Sequence, residues 1–202
     1  MGGWEEYALA FSAFLVSHVV PVRPPVRPWL VARLGARGFG LTYSVLSLAV
    51  LIWLFGAAGR APFITLWDMP SWGPWLVLAA MSLAVLVLAL SLGRPNPLSF
   101  GGSGNDRFDP ARPGIVGLVR HPVLVALALW AFAHLVPNGD LAHVILFLSL
   151  GLFALLGMPM IDRRKRRTMG DATWRDMVSV SRANRLRVGP VAPLRLLAVP
   201  VV

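Results

Sequence analysis

The sequence predicts an all-α integral membrane bundle of about five transmembrane helices, with the N-terminus outside and the C-terminus cytoplasmic. Three observations lead there. The 202-residue chain is 56% hydrophobic and only 14% charged, with eight tryptophans, too apolar for an ordinary soluble domain. Its apolar runs approach the length of about 20 residues that hydrocarbon demands. Finally, eighteen of its nineteen lysines and arginines fall in alternate connections, and the positive-inside rule makes that side cytoplasmic.

The expected spans are residues 4–20, 39–59, 74–93, 122–136 and 141–161, the first and fourth being the shortest. Glu5 and Glu6 stand where a secretory signal would carry basic residues, and no small-residue cleavage site follows, so the first segment reads as a mature helix. Residues 21–38 form a connection with Arg23, Arg27, Arg33 and Arg37. The connection at 94–120, "GRPNPLSFGGSGNDRFDPARPG" onward, is rich in Gly, Pro, Asn and Asp, hence irregular, and is either a connector or a lid over a site. "PNGD" at 137–140 allows only a tight antiparallel hairpin, with Asn138 and Gly139 turning and Asp140 capping the next helix. Residues 1–161 thus form the transmembrane domain and 162–202 a basic cytoplasmic tail. Its final "PVAPLRLLAVPVV", with three prolines, is too short to span and reads as a surface or half-inserted segment.

Cysteine is absent, which excludes disulfides, thiolate metal sites, a cysteine nucleophile and thioether-linked haem. The net charge of +10 fits topology and anionic lipid; no motif suggests nucleic acid. Arg163, Arg164, Lys165, Arg166 and Arg167 follow the last span, as a stop-transfer signal and headgroup contact or as a docking site for a partner. Trp53, Trp67, Trp72 and Trp75 sit near span ends and read as interface anchors.

Four histidines are set among residues otherwise suited to lipid. A titratable group inside a membrane is costly and marks a candidate site, although a single histidine also serves to cap a helix or bond a neighbouring one. The topology puts His18 and His121 near the cytoplasmic side. His134, 13 residues and roughly 20 Å beyond His121 along a helix, falls near the outer face with His143. In "RHP", Pro122 suits a first helical position and disfavours helical geometry at His121. The helix dipole and Arg120 both hold the imidazole neutral, a form suited to a metal ligand, and Arg120 suits a carboxylate or phosphate. A basic helix start gripping lipid headgroups is the alternative. Tyr43 lies at the depth of His18 and can bond it.

"SHVVPVRPPVR", "NPLSFGG", "GLVRHPVLVALALWAFAHLVPNGDLAHVILF" and "DRRKRR" followed by "GDATW" together resemble the NnrU family across nearly the whole chain. The resemblance implies a bacterial inner-membrane protein associated with denitrification and needed for active nitrite and nitric oxide reductases. That family is in turn similar to the plant zeta-carotene isomerases, membrane proteins that hold haem b between two histidines and isomerise a polyene when the iron is reduced. Matching motifs, this likeness implies His18 and His134 as haem ligands. The two fall at opposite depths, so His121 stands as the alternative second ligand, with arginines such as Arg120 on the propionates. A more distant likeness is to the membrane methyltransferases of isoprenylcysteine or phospholipids. There "RHP" opens a helix beside the S-adenosylmethionine site and paired glutamates follow the next span, where this chain has "MIDRRKRR". Three functions follow: a haem-binding protein supporting denitrification, a membrane isomerase or methyltransferase, or a cofactor-free assembly factor docking on reductase subunits.

Overall fold

The computed structural model describes residues 3–186, and among these the regular elements are all helices, with one isolated bridge between Thr65 and Asp140. The α-helices are α1 (Gly3–Val19), α2 (Val26–Arg60), α3 (Gly73–Ser91), α4 (Ile115–Leu118), α5 (Pro122–Leu135), α6 (Leu141–Met169) and α7 (Asp171–Ala183). Three of them, α2, α3 and α6, are long and apolar enough to cross a membrane. The apolar helices α1 and α5, of 17 and 14 residues, are the shorter ones, as the sequence indicates. The proline-rich segment 190–202 lies outside the described residues.

One expectation is corrected. Residues 21–38 are not a free connection, because α2 begins at Val26 and carries Arg27, Arg33 and Arg37. Pro28 is tolerated in the first turn, where its missing N–H has no partner, and leucine, alanine and arginine favour the helix. Gly35 breaks the regular geometry, with φ 71° and ψ 165°, a conformation that side chains rarely adopt. On the segment before the break, Arg33 lies over the exposed Trp29 ring at 4.2 Å, pairing a cation with an aromatic face.

The 94–120 connection is irregular as expected, save for a 3-10 turn at Asn105–Arg107 and the single turn of α4. Trp67, Trp72 and Trp75 are exposed, whereas Trp53 donates its ring N–H to Glu6 at 3.2 Å.

The chain divides into two compact units, Met1–Pro70 with Pro137–Phe147, and Ser71–Val136 with Leu148–Val202. In the first, α1 packs on α2 around Tyr7, Ala10, Phe14, Leu54 and Ala57. The Tyr7 hydroxyl donates to the Ala142 carbonyl at 2.9 Å, tying α1 to the start of α6. Arg60 donates to both carboxylate oxygens of Glu6, at 3.1 and 2.6 Å. Asp140 accepts the His143 backbone N–H at 3.3 Å, the expected N-terminal cap.

In the second unit α3 packs against α5, with Ala84, Val87 and Ala126 buried between them. Leu124, Ala128 and Ala154 join α5 to α6. Alanines line these contacts while large aliphatics face outward, Leu78 at 60% exposure and Leu156 at 63%. Water would penalise that arrangement, but in lipid the leucines lose nothing outside and small residues let helices approach closely.

Candidate functional site

The second unit brings four of the singled-out motifs to one place. Asn96, from "NPLSFGG", donates its side-chain N–H to the Arg120 carbonyl at 3.0 Å and accepts the Leu98 backbone N–H at 3.1 Å. That fixes the approach of "RHP" to α5. His121 stands at the helix mouth with φ −116° and ψ 64°, followed by Pro122 in the first turn, as the dipeptide predicts.

His121 is 4% exposed and both its ring nitrogens are engaged. Nδ1 is 2.9 Å from the Ser99 hydroxyl and Nε2 is 3.1 Å from Asp162 Oδ1. Nε2 also lies 3.3 Å from Arg120 Nε, so this nitrogen meets both a carboxylate that only accepts and a guanidinium that only donates, and the Ser99 hydroxyl can serve Nδ1 in either tautomer. Arg120 grips the same carboxylate with Nε at 3.0 Å and with Nη2. Its guanidinium also lies 5.4 Å from the Trp174 ring of "GDATW", while Arg166 covers that ring at 4.0 Å. Of the basic run, Arg163, Arg164 and Arg167 are exposed, and Arg166 is drawn onto α7.

Arg120 therefore does meet a carboxylate, but one of the protein's own. Asp162 was the residue missed by sequence reasoning, hidden at the head of a basic run. The available signal was that it is the first acid after the last span, where the methyltransferase likeness expects carboxylates. Arg120, His121 and Asp162 together clamp the 94–120 connection and the start of α5 to the C-terminal part of α6.

Burial, the largest influence, pushes His121 below its usual value; Asp162 opposes and Arg120 assists. The folded form thus binds its proton less readily than the unfolded chain. This contribution to stability is present above the ordinary histidine value of about 6.5 and is lost as pH falls below it toward the depressed folded value. Acidification from pH 7 to 5 is expected to destabilise the protein less in His121→Gln than in the unaltered chain. Parallel slopes in thermal unfolding against pH would refute this.

The other histidines are each placed differently. His18 donates Nδ1–H to the Phe14 carbonyl at 2.8 Å, stacks on the Phe14 ring at 4.1 Å and meets the edge of Tyr43 at 6.1 Å. His134 donates Nδ1–H to the Trp130 carbonyl at 2.7 Å, its ring 5.2 Å from that tryptophan. His143 pairs through Nδ1 with Asp140 at 2.7 Å. His18 and His134 thus share one arrangement. A ring N–H held by the carbonyl four residues back leaves the lone pair on Nε2, the tautomer and restraint that metal-ligating histidines use. Their donor chemistry fits haem iron.

Apolar spans, inward alanines and outward leucines define a multi-pass helical membrane protein. The family model described as "NnrU protein" matches residues 6–199. The chain belongs to the NnrU family, which is consistent with a denitrification-associated membrane protein. No curated protein and no solved structure matches it.

Proposed function

We propose that this NnrU protein is a five-span protein of the bacterial inner membrane that binds haem b and supports production of active nitrite and nitric oxide reductases. His18 and His134 are the candidate iron ligands. The observation that carries the haem reading is their shared geometry, each with Nδ1–H on the carbonyl one turn back. His121 is the weaker candidate, since Ser99 and Asp162 engage both its nitrogens; its role is to position Arg120 and Asp162. Bound haem would supply a one-electron redox change. The protein's own part is to fix the ligand tautomers and to keep the surrounding helices apolar.

The charge asymmetry between connections supports a cytoplasmic C-terminus. Glu6 pairs with Arg60, the one basic residue on the other side, which sharpens that asymmetry. Exposed Arg163, Arg164 and Arg167 are suited to anionic headgroups or to a reductase subunit. Methyl transfer is less favoured, because the carboxylate at the place expected for that chemistry, Asp162, is held by Arg120 and His121.

The test is the absorption spectrum of the detergent-purified protein, oxidised and dithionite-reduced. A sharp reduced Soret and alpha band is expected, lost or shifted in His18→Ala and in His134→Ala and retained in His121→Gln. A folded but colourless protein would leave the cofactor-free assembly factor as the correct reading.

A further inference from the structure

A cavity of about 290 Å³ lies in the second unit, between the last residue of α3, the 94–116 connection and Pro122. Arg94, Arg107 and Arg112 line it against a single carboxylate, Asp109, and Phe108 and Ile115 supply apolar wall. Asp109 already accepts the Ala111 backbone N–H at 2.9 Å. Elsewhere in this unit Arg120 is paired with Asp162, and Arg166 and Arg175 with Asp171. Arg94, Arg107 and Arg112 have no ion-pair partner among the described residues.

The segment that holds them is built, not slack. Asn96 donates its backbone N–H to the Asn105 side chain at 2.8 Å, Ser103 donates to the Arg94 carbonyl at 3.1 Å, and Arg107 donates to the Gly104 carbonyl at 3.0 Å. Gly104 takes φ +63°, and the Arg107 guanidinium lies where a Cβ on Gly104 would stand, so the glycine makes room for the cation. Three arginines thus line one partly apolar cavity with a single carboxylate among them, and a bound anion would offset their like charge.

We infer that this cavity binds the phosphate group of an anionic ligand through Arg94, Arg107 and Arg112. The molecule's own contacts favour phosphate over carboxylate. A single arginine satisfies a carboxylate bidentately, as Arg120 does Asp162, whereas the three outer oxygens of a phosphate monoester can engage three guanidiniums. Phe108 and Ile115 then face the part of the ligand that carries the phosphate. The inference is independent of haem.

The test follows thermal unfolding of the full chain in uncharged detergent by tryptophan fluorescence, with added glycerol phosphate or short-chain phosphatidic acid. Phosphatidylcholine of the same chain length is the zwitterionic control. A saturable rise in Tm is expected. Its apparent Kd should weaken at least about tenfold in Arg94→Gln/Arg107→Gln/Arg112→Gln. It should hold in Arg23→Gln/Arg33→Gln/Arg37→Gln, which removes the same charge from exposed positions of the other unit. A response to both probes assigns a soluble phosphate ester as sufficient, and a response to phosphatidic acid alone assigns a lipid headgroup; either supports the site. No saturable shift with either probe, or equal weakening in both triple variants, overturns it. Should the first triple variant fail to fold, Arg107→Gln alone decides, and unchanged affinity overturns the proposal.

Discussion

Asp162→Ala is expected to destabilise the protein by about 2–3 kcal/mol, because it leaves a partly buried guanidinium and a buried imidazole without the carboxylate they share. The carboxylate meets Arg120 Nε and Nη2 and His121 Nε2, so its removal takes the shared partner from two side chains at once. The side chain of Arg120 is a third exposed and can recover water, which keeps the cost below that of a fully buried pair. In an Arg120→Gln background the same Asp162→Ala change should cost at least about 1 kcal/mol less, the signature of two residues acting as one unit. Thermal or denaturant unfolding of the detergent-solubilised protein measures both. Equal losses in the two backgrounds would show that Asp162 does not act through Arg120.

Gly139→Ala is the second substitution with a large expected effect, about 1–3 kcal/mol of destabilisation by overpacking. A Cβ at this position would run into the Trp67 carbonyl and come within 2.6 and 2.8 Å of the Trp67 ring. The backbone cannot easily give way. Gly139 accepts the N–H groups of Leu66 and Trp67 at 2.7 and 3.2 Å, and Leu141 donates to Ile64 at 2.9 Å, closing the bridge between Thr65 and Asp140. Gly59→Ala in α2, with nothing near the added Cβ, is the control, expected to be neutral or stabilising by up to about 1 kcal/mol. If both variants unfold alike, the close approach at Trp67 is not what requires glycine at 139.

The legible parts of this protein were those set by local physics. Continuous apolar runs located α1, α3, α5 and the start of α6 to within a few residues, because a helix in lipid must satisfy its own backbone and be apolar along its length. Pro122 marked the mouth of α5 and Asp140 the cap of α6, both effects confined to one turn. Residues 26–34 escaped the reading because their arginines suggested a connection, while the same residues pay no penalty in a helix outside the hydrocarbon.

Pairings between distant residues had no local signature. Gly139 read as a turn residue, yet its requirement comes from Trp67, some seventy positions earlier. His121 read as a neutral imidazole at a helix mouth, but its partners Ser99 and Asp162 lie 22 and 41 residues away. Nor did Arg94, Arg107 and Arg112 look different from any other basic residue of their connection until the glycine corners folded them around one cavity. The sequence by itself determined the solvent this chain lives in and the positions of most helices, since hydropathy and backbone preference act over one or two turns. Which charges neutralise one another, which histidine nitrogens retain a lone pair and which arginines gather unpaired were decided only by tertiary structure, because those depend on distances the chain closes across tens of residues.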